Sequence, residues 1–511
     1  MRPTAPGTAR RNCVNPPAAG VSGAIIALAA LLIGSGPVRA TQDRKGSPQR
    51  PNVLLIITDQ QRADALGYRQ PGALRTPHLD ALAAGGISFD RALTPTPICT
   101  PARTALVTSQ YGHQTRTMSN GDTLQDEPVL FTRLRDRGYQ VDYAGKWHLG
   151  ESNKSKWVDR LQGDDRAEYS RWCLKQGIPD GWAFNDPAMR SHRRADVSIP
   201  RPAVNPIKPE QTNEAWIVDH ALRMLDTRDR SRPYFLTVSL NGPHPPFKVP
   251  ERYFSMYDAS AIPQPPNFGP TPGEPAALSR SFYRTVFRDH GETWAAWRKS
   301  TAVYRGFVTM VDAQIGRVIK RFEDERLLDS TFVIMTTDHG EMMGQHGLWQ
   351  KYHAYEEALR VPLIMRAPWL IGRGVRSDAA ASLIDIAPTV FAALGVRAPS
   401  TLQGVDLSPS FSGAAPAGEP RLLFSEFHPK GDWHGVVDWR LVTDNRHKYV
   451  WNRGDIAELY DLGADPHELK NLARSSAHRA VAVQLQEQLH AWMRRTQDPL
   501  VSAFAEQRTD P

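Results

Sequence analysis

A chain of 511 residues, 41% apolar and 23% charged, can bury a large core and is not built like a disordered or fibrous protein. Its formal charge of +8 would fit a nucleic-acid binder, but no Lys/Arg run extends beyond "SHRRAD" at 191–196, so no basic stripe supports that class. Three cysteines in a chain this long exclude a disulfide-built scaffold.

The first 40 residues read as a signal peptide. Arg2, Arg10 and Arg11 precede an apolar run from Val21 to Ile33, and "PVRA" ends in a small residue suited to cleavage after Ala40. "RRN" hints at twin-arginine export. The run is short for a membrane span, and no later segment is long and apolar enough. The expectation is an exported protein, periplasmic or secreted. Loss of the leader removes four arginines and Cys13, leaving about +4, a balance that suits an anionic substrate.

Several short apolar runs then read as strands buried on both faces, each ending at a polar residue. "NVLLIIT" (52–58) meets Asp59, and "YQVDYAG" (139–145) leads to Lys146 and His148. "YFLTVSL" (234–240) leads to "NGPHPPF" with His244, and "TFVIMTT" (331–337) meets Asp338 and His339. Helical patterns lie between them, such as "TPHLDALAAGG", with Thr76 as N-cap, Pro77 at the first helical position and Gly85 beyond the end. Strands alternating with helices predict an α/β fold with a mostly parallel central sheet flanked by helices. Ligands of such sheets sit beyond the carboxyl ends of the strands, so four strand ends point at one site.

Segments 151–210 and 258–295 lack clear periodicity and read as insertions that select substrate. "SGAAPAGEP" (412–420) reads as a linker between a catalytic domain (41–411) and a C-terminal subdomain (421–511). In the latter, "WRLVTDNRHKYVWN" and "AELYDL" predict short antiparallel strands. "AVAVQLQEQLHAWM" predicts a helix with Leu485, Leu489 and Trp492 on one face.

In "PTPICTPARTAL" (95–106), Thr100 and Pro101 are expected to open a helix, which places Cys99 at an N-terminus that favours an anion. Arg103 in the first turn can fork two oxygens of a sulfate or phosphate. A disulfide to Cys173 is the competing use of Cys99.

Cys-x-Pro-x-Arg resembles the signature of the formylglycine-dependent sulfatases of the alkaline phosphatase superfamily. "GKWHLG" (145–150), "GPHPPF" (242–247), "TTDHGEMMGQHGLWQK" (336–351) and "ELYDLGADPHELKNLA" (458–473) resemble further blocks of that family, in its order. The resemblance spans about residues 51 to 475 and implies an alkaline-phosphatase-like sandwich. It also implies that a formylglycine-generating enzyme oxidises Cys99 to an aldehyde, whose hydrate attacks sulfur and later releases sulfate. Asp59, Gln60, Asp338 and His339, with the residue-99 oxygen, would hold one divalent cation. Lys146 and Lys351 would clamp sulfate with Arg103. His244 would be the general acid with Lys351, and His148 the base.

Many sulfatases carry two consecutive aspartates where this chain has Asp59-Gln60, and Asp-Asn where it has Asp338-His339. Calcium is expected, and the amide and imidazole admit manganese or magnesium. The same departures resemble choline-sulfatase-like and phosphonate monoester hydrolase-like relatives. The expected activity is hydrolysis of sulfate monoesters, with sulfated carbohydrates, such as extracellular or periplasmic glycan fragments, as the expected substrate. Arylsulfatase, choline-sulfatase and phosphonate or phosphodiester hydrolysis are its rivals, with an inactive glycan-binding relative as a rival of another class. Gln60 and His346 stand evenly between site and scaffold, as do His428, Trp433 and His434 as pocket neighbours. "MRSHRRAD" (189–196) reads as a solvated face.

Overall fold

The computed structural model describes residues 50–125, 128–150, 154–180, 201–413, 421–430 and 435–507. The expected leader, the 189–196 stretch, most of the 412–420 linker, Trp433 and His434 lie outside the described residues.

Among the described residues, ten strands precede residue 383: β1 (Asn52–Thr58), β2 (Ile87–Leu93), β3 (Gln140–Gly145), β4 (Arg160–Gln162), β5 (Ala203–Asn205), β6 (Tyr234–Ser239), β7 (Lys248–Pro250), β8 (Thr331–Thr337), β9 (Leu363–Arg366) and β10 (Val375–Ser382). Eight form one sheet in the order β10-β2-β9-β8-β1-β6-β3-β4, while β5 and β7 pair apart. The sheet is parallel except at β9, which runs against β2 and β8. The runs "NVLLIIT" and "TFVIMTT" are apolar without alternation because both of their faces are covered.

That cover comes from helices on each side. Leu54 and Ile56 of β1 belong to a core with Leu79 of α1 (Pro77–Ala84), Ile217 of α3 (Asn213–Asp226) and Phe307 of α4 (Trp294–Asp324). Val53, Leu55 and Ile57 face the other way, in a core with Ala102 and Leu106 of α2 (Cys99–Thr108) and Phe391 of α5 (Ile386–Ala393). The helix bounds around Pro77 match the expectation, but Thr76 makes no cap. Its hydroxyl accepts from the Gly67 amide (2.7 Å) and donates to Asp80 (2.8 Å).

A second sheet, β11 (Leu423–Phe427), β12 (Trp439–Thr443), β13 (His447–Asn452) and β14 (Glu458–Asp461), is antiparallel throughout. Leu485, Leu489 and Trp492 of α6 (Arg479–Thr496) cover it in a third core that also takes in Ala105 of α2. The ring of Trp492 stacks on Phe424 (4.9 Å, 5°) and meets the edge of Tyr111. Trp492→Ala should therefore lose about 3–5 kcal/mol of stability in denaturant titration. A loss under ~1 kcal/mol would show that this core does not tie the two sheets together.

No helix among the described residues is long and apolar enough to cross a membrane. The aperiodic stretch 258–295 contains a 3-10 turn at Ala259–Ala261 and two short α-helices, Ala276–Arg280 and Phe282–His290, and ends at the first turn of α4.

Candidate active site

The register of the central strands sets the site. Ile57 lies opposite both Ser239 and Thr336, and Ser239 lies opposite Gly145, so β1, β6, β8 and β3 end flush. Asp59, Asp338, His244 and Lys146 therefore emerge from one edge. Gly145 makes the exit from β3 possible: its φ of +94° is left-handed, and a Cβ there would lie 2.0 Å from the Ser239 carbonyl.

α2 starts at Cys99 itself, not after Thr100 as its sequence implied. Thr100 lies inside the helix with its hydroxyl unpartnered, and the Asn120 side chain accepts from its amide (3.0 Å) in place of a local cap. Ten residues of α2 are buried, which wedges Cys99 and Arg103 under the strand ends. No disulfide joins Cys99 to Cys173.

The Cys99 sulfur is 2.9 Å from the Lys351 ammonium, 3.2 Å from His339 Nε2 and 3.9 Å from Asp59 Oδ1. Arg103 donates from Nε to Asp338 Oδ2 (2.8 Å) and from Nη1 to the Ser239 hydroxyl (2.7 Å). Its Nη2 is buried without a hydrogen-bond partner, 3.7 Å from Asp59. Lys146 pairs with Asp59, and Lys351 also donates to the Gln60 amide oxygen (3.0 Å).

Charge in this buried space is tightly matched. Burial and the Cys99 sulfur push the Asp59 carboxyl up, but Lys146, His244 and Lys351 outweigh them and hold it below the usual carboxylate range. Burial also opposes the Cys99 thiolate, yet Lys146, Lys351 and His339 bring that thiol well below its ordinary value. Burial works against the Lys351 ammonium as well, and Cys99 raises it again. Burial with Lys351 and Lys146 lowers His244 to about 3, and burial with Lys146 lowers His148, so both imidazoles are neutral.

One ligand atom each from Asp59, Cys99, Asp338 and His339 lies within 4.8 Å of the others, all buried. The Nδ1 of His339 lies 3.0 Å from the Gly340 carbonyl, so it donates there and leaves the Nε2 lone pair facing the group. Two carboxylates, an imidazole and a nearby amide oxygen form a donor set that fits a divalent cation.

Residues 51–396, well over half of the chain, match the sulfatase family pattern. The chain belongs to the sulfatase family. A second pattern, N-sulphoglucosamine sulphohydrolase, C-terminal, matches residues 344–495. The uncharacterized sulfatase YidJ of Escherichia coli is 30% identical over 478 residues, 89% of each chain. An N-acetylglucosamine-6-O-sulfatase of Bacteroides thetaiotaomicron is 25% identical over 538 residues, 93% of this chain and 91% of that one. The structure of a phosphonate monoester hydrolase from Silicibacter pomeroyi superposes with a TM-score of 0.73 at 26% identity, covering 89% of this chain and 97% of its own. This sulfatase is a sulfuric ester hydrolase with the alkaline-phosphatase-like fold.

Above Cys99 the sulfatase opens a cavity of about 340 Å³. Lys146, His148 and His244 line its base, and Asn120, Asp164, Asp165, Arg166, Asn213 and Asn241 line its wall. Asp164, Asp165 and Arg166 fall in the 151–210 insertion expected to select substrate and Asn241 adjoins "GPHPPF", whereas Asn120 and Asn213 had no sequence signal. His346 is scaffold: it is spent on Asn267 (3.0 Å) and Thr271 (2.9 Å) and stacks on Tyr355 (3.8 Å). His428 pairs with Asp438 and is not among the residues lining the cavity.

Proposed function

We propose that this sulfatase hydrolyses sulfate monoesters of sulfated carbohydrates, using a formylglycine made from Cys99 and one divalent cation held by Asp59, Gln60, Asp338 and His339. The observation that carries the reading is the meeting, at Cys99, of that ligand group with the Arg103, Lys146 and Lys351 cations. A formylglycine-generating enzyme is the maturation partner. Calcium is the proposed ion because oxygen donors dominate, with manganese or magnesium as substitutes. The proposed organisation is a catalytic domain at 41–411 and a C-terminal subdomain at 421–511, behind a cleaved leader that exports the protein.

The aldehyde hydrate would supply the attacking oxygen and the cation would polarise it. The chain's own residues do the rest. Arg103 offers its unpartnered Nη2 to a sulfate oxygen, and Lys146 and Lys351 balance the remaining charge. A bound sulfate adds the negative charge that restores proton affinity to His244. Its Nδ1 is held by the Pro245 carbonyl (2.6 Å), so Nε2 delivers the proton to the departing alcohol. Lys351, 2.9 Å from the residue-99 side chain, clamps sulfate and supports His244 as the acid. His148, neutral beside Cys99, is the base for sulfate release.

Support for a carbohydrate comes from the wall of amides, carboxylates and a guanidinium, with no Phe, Tyr or Trp among the described lining residues. Such a wall fits hydroxyl groups better than an aryl ring. A relative named for N-acetylglucosamine-6-O-sulfate chemistry points the same way. The second reading, a phosphonate or phosphodiester hydrolase, is favoured by Gln60, His339 and the likeness to phosphonate monoester hydrolase. A phosphate diester carries one charge like a sulfate monoester, whereas a phosphate monoester carries nearly two. We expect kcat/KM to rank sulfated mono- and disaccharides above matched aryl sulfate, phosphate diester and phosphate monoester. A diester ahead of every sulfate by tenfold, about 1.4 kcal/mol, would replace this reading with the second one.

A further inference from the structure

We infer that Glu341 is a positioning residue that turns the Gln60 amide so that its oxygen faces Lys351 and the cation site. The inference rests on the cation reading above and adds a residue that lies outside the ligand set.

Gln60 is fully buried, and its backbone cannot move away. Its amide donates to Asp338 Oδ1 (3.1 Å), its carbonyl accepts from the Tyr304 hydroxyl (3.0 Å), and its φ is +63°. Its side chain has two opposite neighbours. The Gln60 nitrogen donates to Glu341 Oε2, and the Gln60 oxygen accepts from Lys351 Nζ (3.0 Å). A lysine ammonium has no acceptor and a carboxylate has no donor, so the two neighbours specify one amide orientation.

Glu341 is itself immobile. It is buried, and its Oε1 accepts from the Met343 amide (3.0 Å) and the Gln350 amide (2.8 Å). Oε2 is thereby aimed at Gln60. A carboxylate at position 60 would need no such help, because both of its atoms accept. An amide does, since the wrong face presents NH₂ to a lysine and a cation. Glu341 thus stands one shell behind Gln60 and keeps a neutral ligand pointed correctly.

The substitution Glu341→Gln tests this with little change of shape. The Met343 and Gln350 amides still require an oxygen, which forces the new NH₂ against the Gln60 NH₂. Gln60 relieves that conflict by flipping its own NH₂ toward Lys351 and the cation site. The double variant Gln60→Glu/Glu341→Gln exchanges acid and amide at constant charge, and every donor regains an acceptor.

Chelator-stripped full-length protein would be titrated with calcium, and separately with manganese, by calorimetry, and the metal-free melting temperatures recorded. Glu341→Gln should bind about 10- to 100-fold more weakly than wild type, and the exchange variant should return to within about threefold of wild type. A purely structural role would lower the metal-free melting temperature and leave the affinity alone. Glu341→Gln binding within threefold of wild type, or a folded exchange variant no better than Glu341→Gln, overturns the proposal. If Glu341→Gln does not fold, the exchange variant decides alone, and failure of both to fold also overturns it. A wild type that takes up neither ion sinks the cation reading itself, before any variant is compared.

Discussion

Cys99→Ala should lower kcat by at least ~10⁴-fold, the scale seen when a covalent nucleophile is deleted, while the fold survives. The residue is 1% exposed, and its sulfur contacts Lys351 and His339 without holding either strand end in place. Lys351 keeps the Gln60 oxygen, and Arg103 keeps Asp338, so the clamp persists around a missing nucleophile. Cys99→Ser should fail as well, because a single hydroxyl cannot both attack and later expel sulfate as a hydrated aldehyde does. Peptide mass spectrometry of active enzyme should find a lighter, alkylation-resistant residue at 99. Full turnover by Cys99→Ala would end the formylglycine reading, and an unmodified Cys99 in inactive protein would favour a glycan-binding role.

Asp338→Asn should damage both chemistry and fold. Asp338 Oδ2 accepts from Arg103 Nε (2.8 Å), and Oδ1 accepts from the Gln60 and His339 amides (3.1 and 3.0 Å). An asparagine NH₂ must face one of these donor sets, so either Arg103 or two backbone amides lose their acceptor. Breaking a buried ion pair costs about 3–5 kcal/mol, and Asp59 at 3.7 Å offers Arg103 only a partial substitute. One of two carboxylates also leaves the cation group. We expect calcium affinity to fall by at least ~100-fold and kcat by at least ~10³-fold, a loss of roughly 4 kcal/mol in transition-state stabilisation. Calorimetry, kinetics and denaturant unfolding read these separately. Stripping the metal from wild type should mimic the kinetic loss, with calcium or manganese restoring activity. Undiminished turnover in protein shown by elemental analysis to be metal-free would remove the cation from the site.

Much of the scaffold was legible in the chain because its elements are locally encoded. The apolar runs at 52–58 and 331–337 are too short for ordinary helices and do not alternate, which reads as strands covered on both faces, and they are. The period of "AVAVQLQEQLHAWM" places Leu485, Leu489 and Trp492 on one face, which is the buried one. Where the signal was local but ambiguous, tertiary packing overrode it. Thr100 looks like a cap, yet α2 begins at Cys99, two residues before the expected first helical position, and Asn120, distant in sequence, accepts from the Thr100 amide. Thr76 has the cap sequence but spends its hydroxyl on Gly67 and Asp80.

The residue types at the strand ends of 59, 146, 244 and 338 were set by the sequence, and Cys99 and Arg103 pointed to an anion site, whose chemistry the resemblance to sulfatases supplied. Their common level was set by pairing, because only the parallel register of Ile57 with Ser239 and Thr336 brings chain segments nearly 280 residues apart to one edge. Orientation needed the third dimension as well. A glutamine side chain can present oxygen or nitrogen, and nothing in "TDQQ" says which. Lys351 and Glu341 decide it, by approaching Gln60 from opposite sides with a donor and an acceptor. Composition and periodicity act between neighbours in the chain, whereas hydrogen-bond polarity in a dry interior depends on what the fold brings alongside.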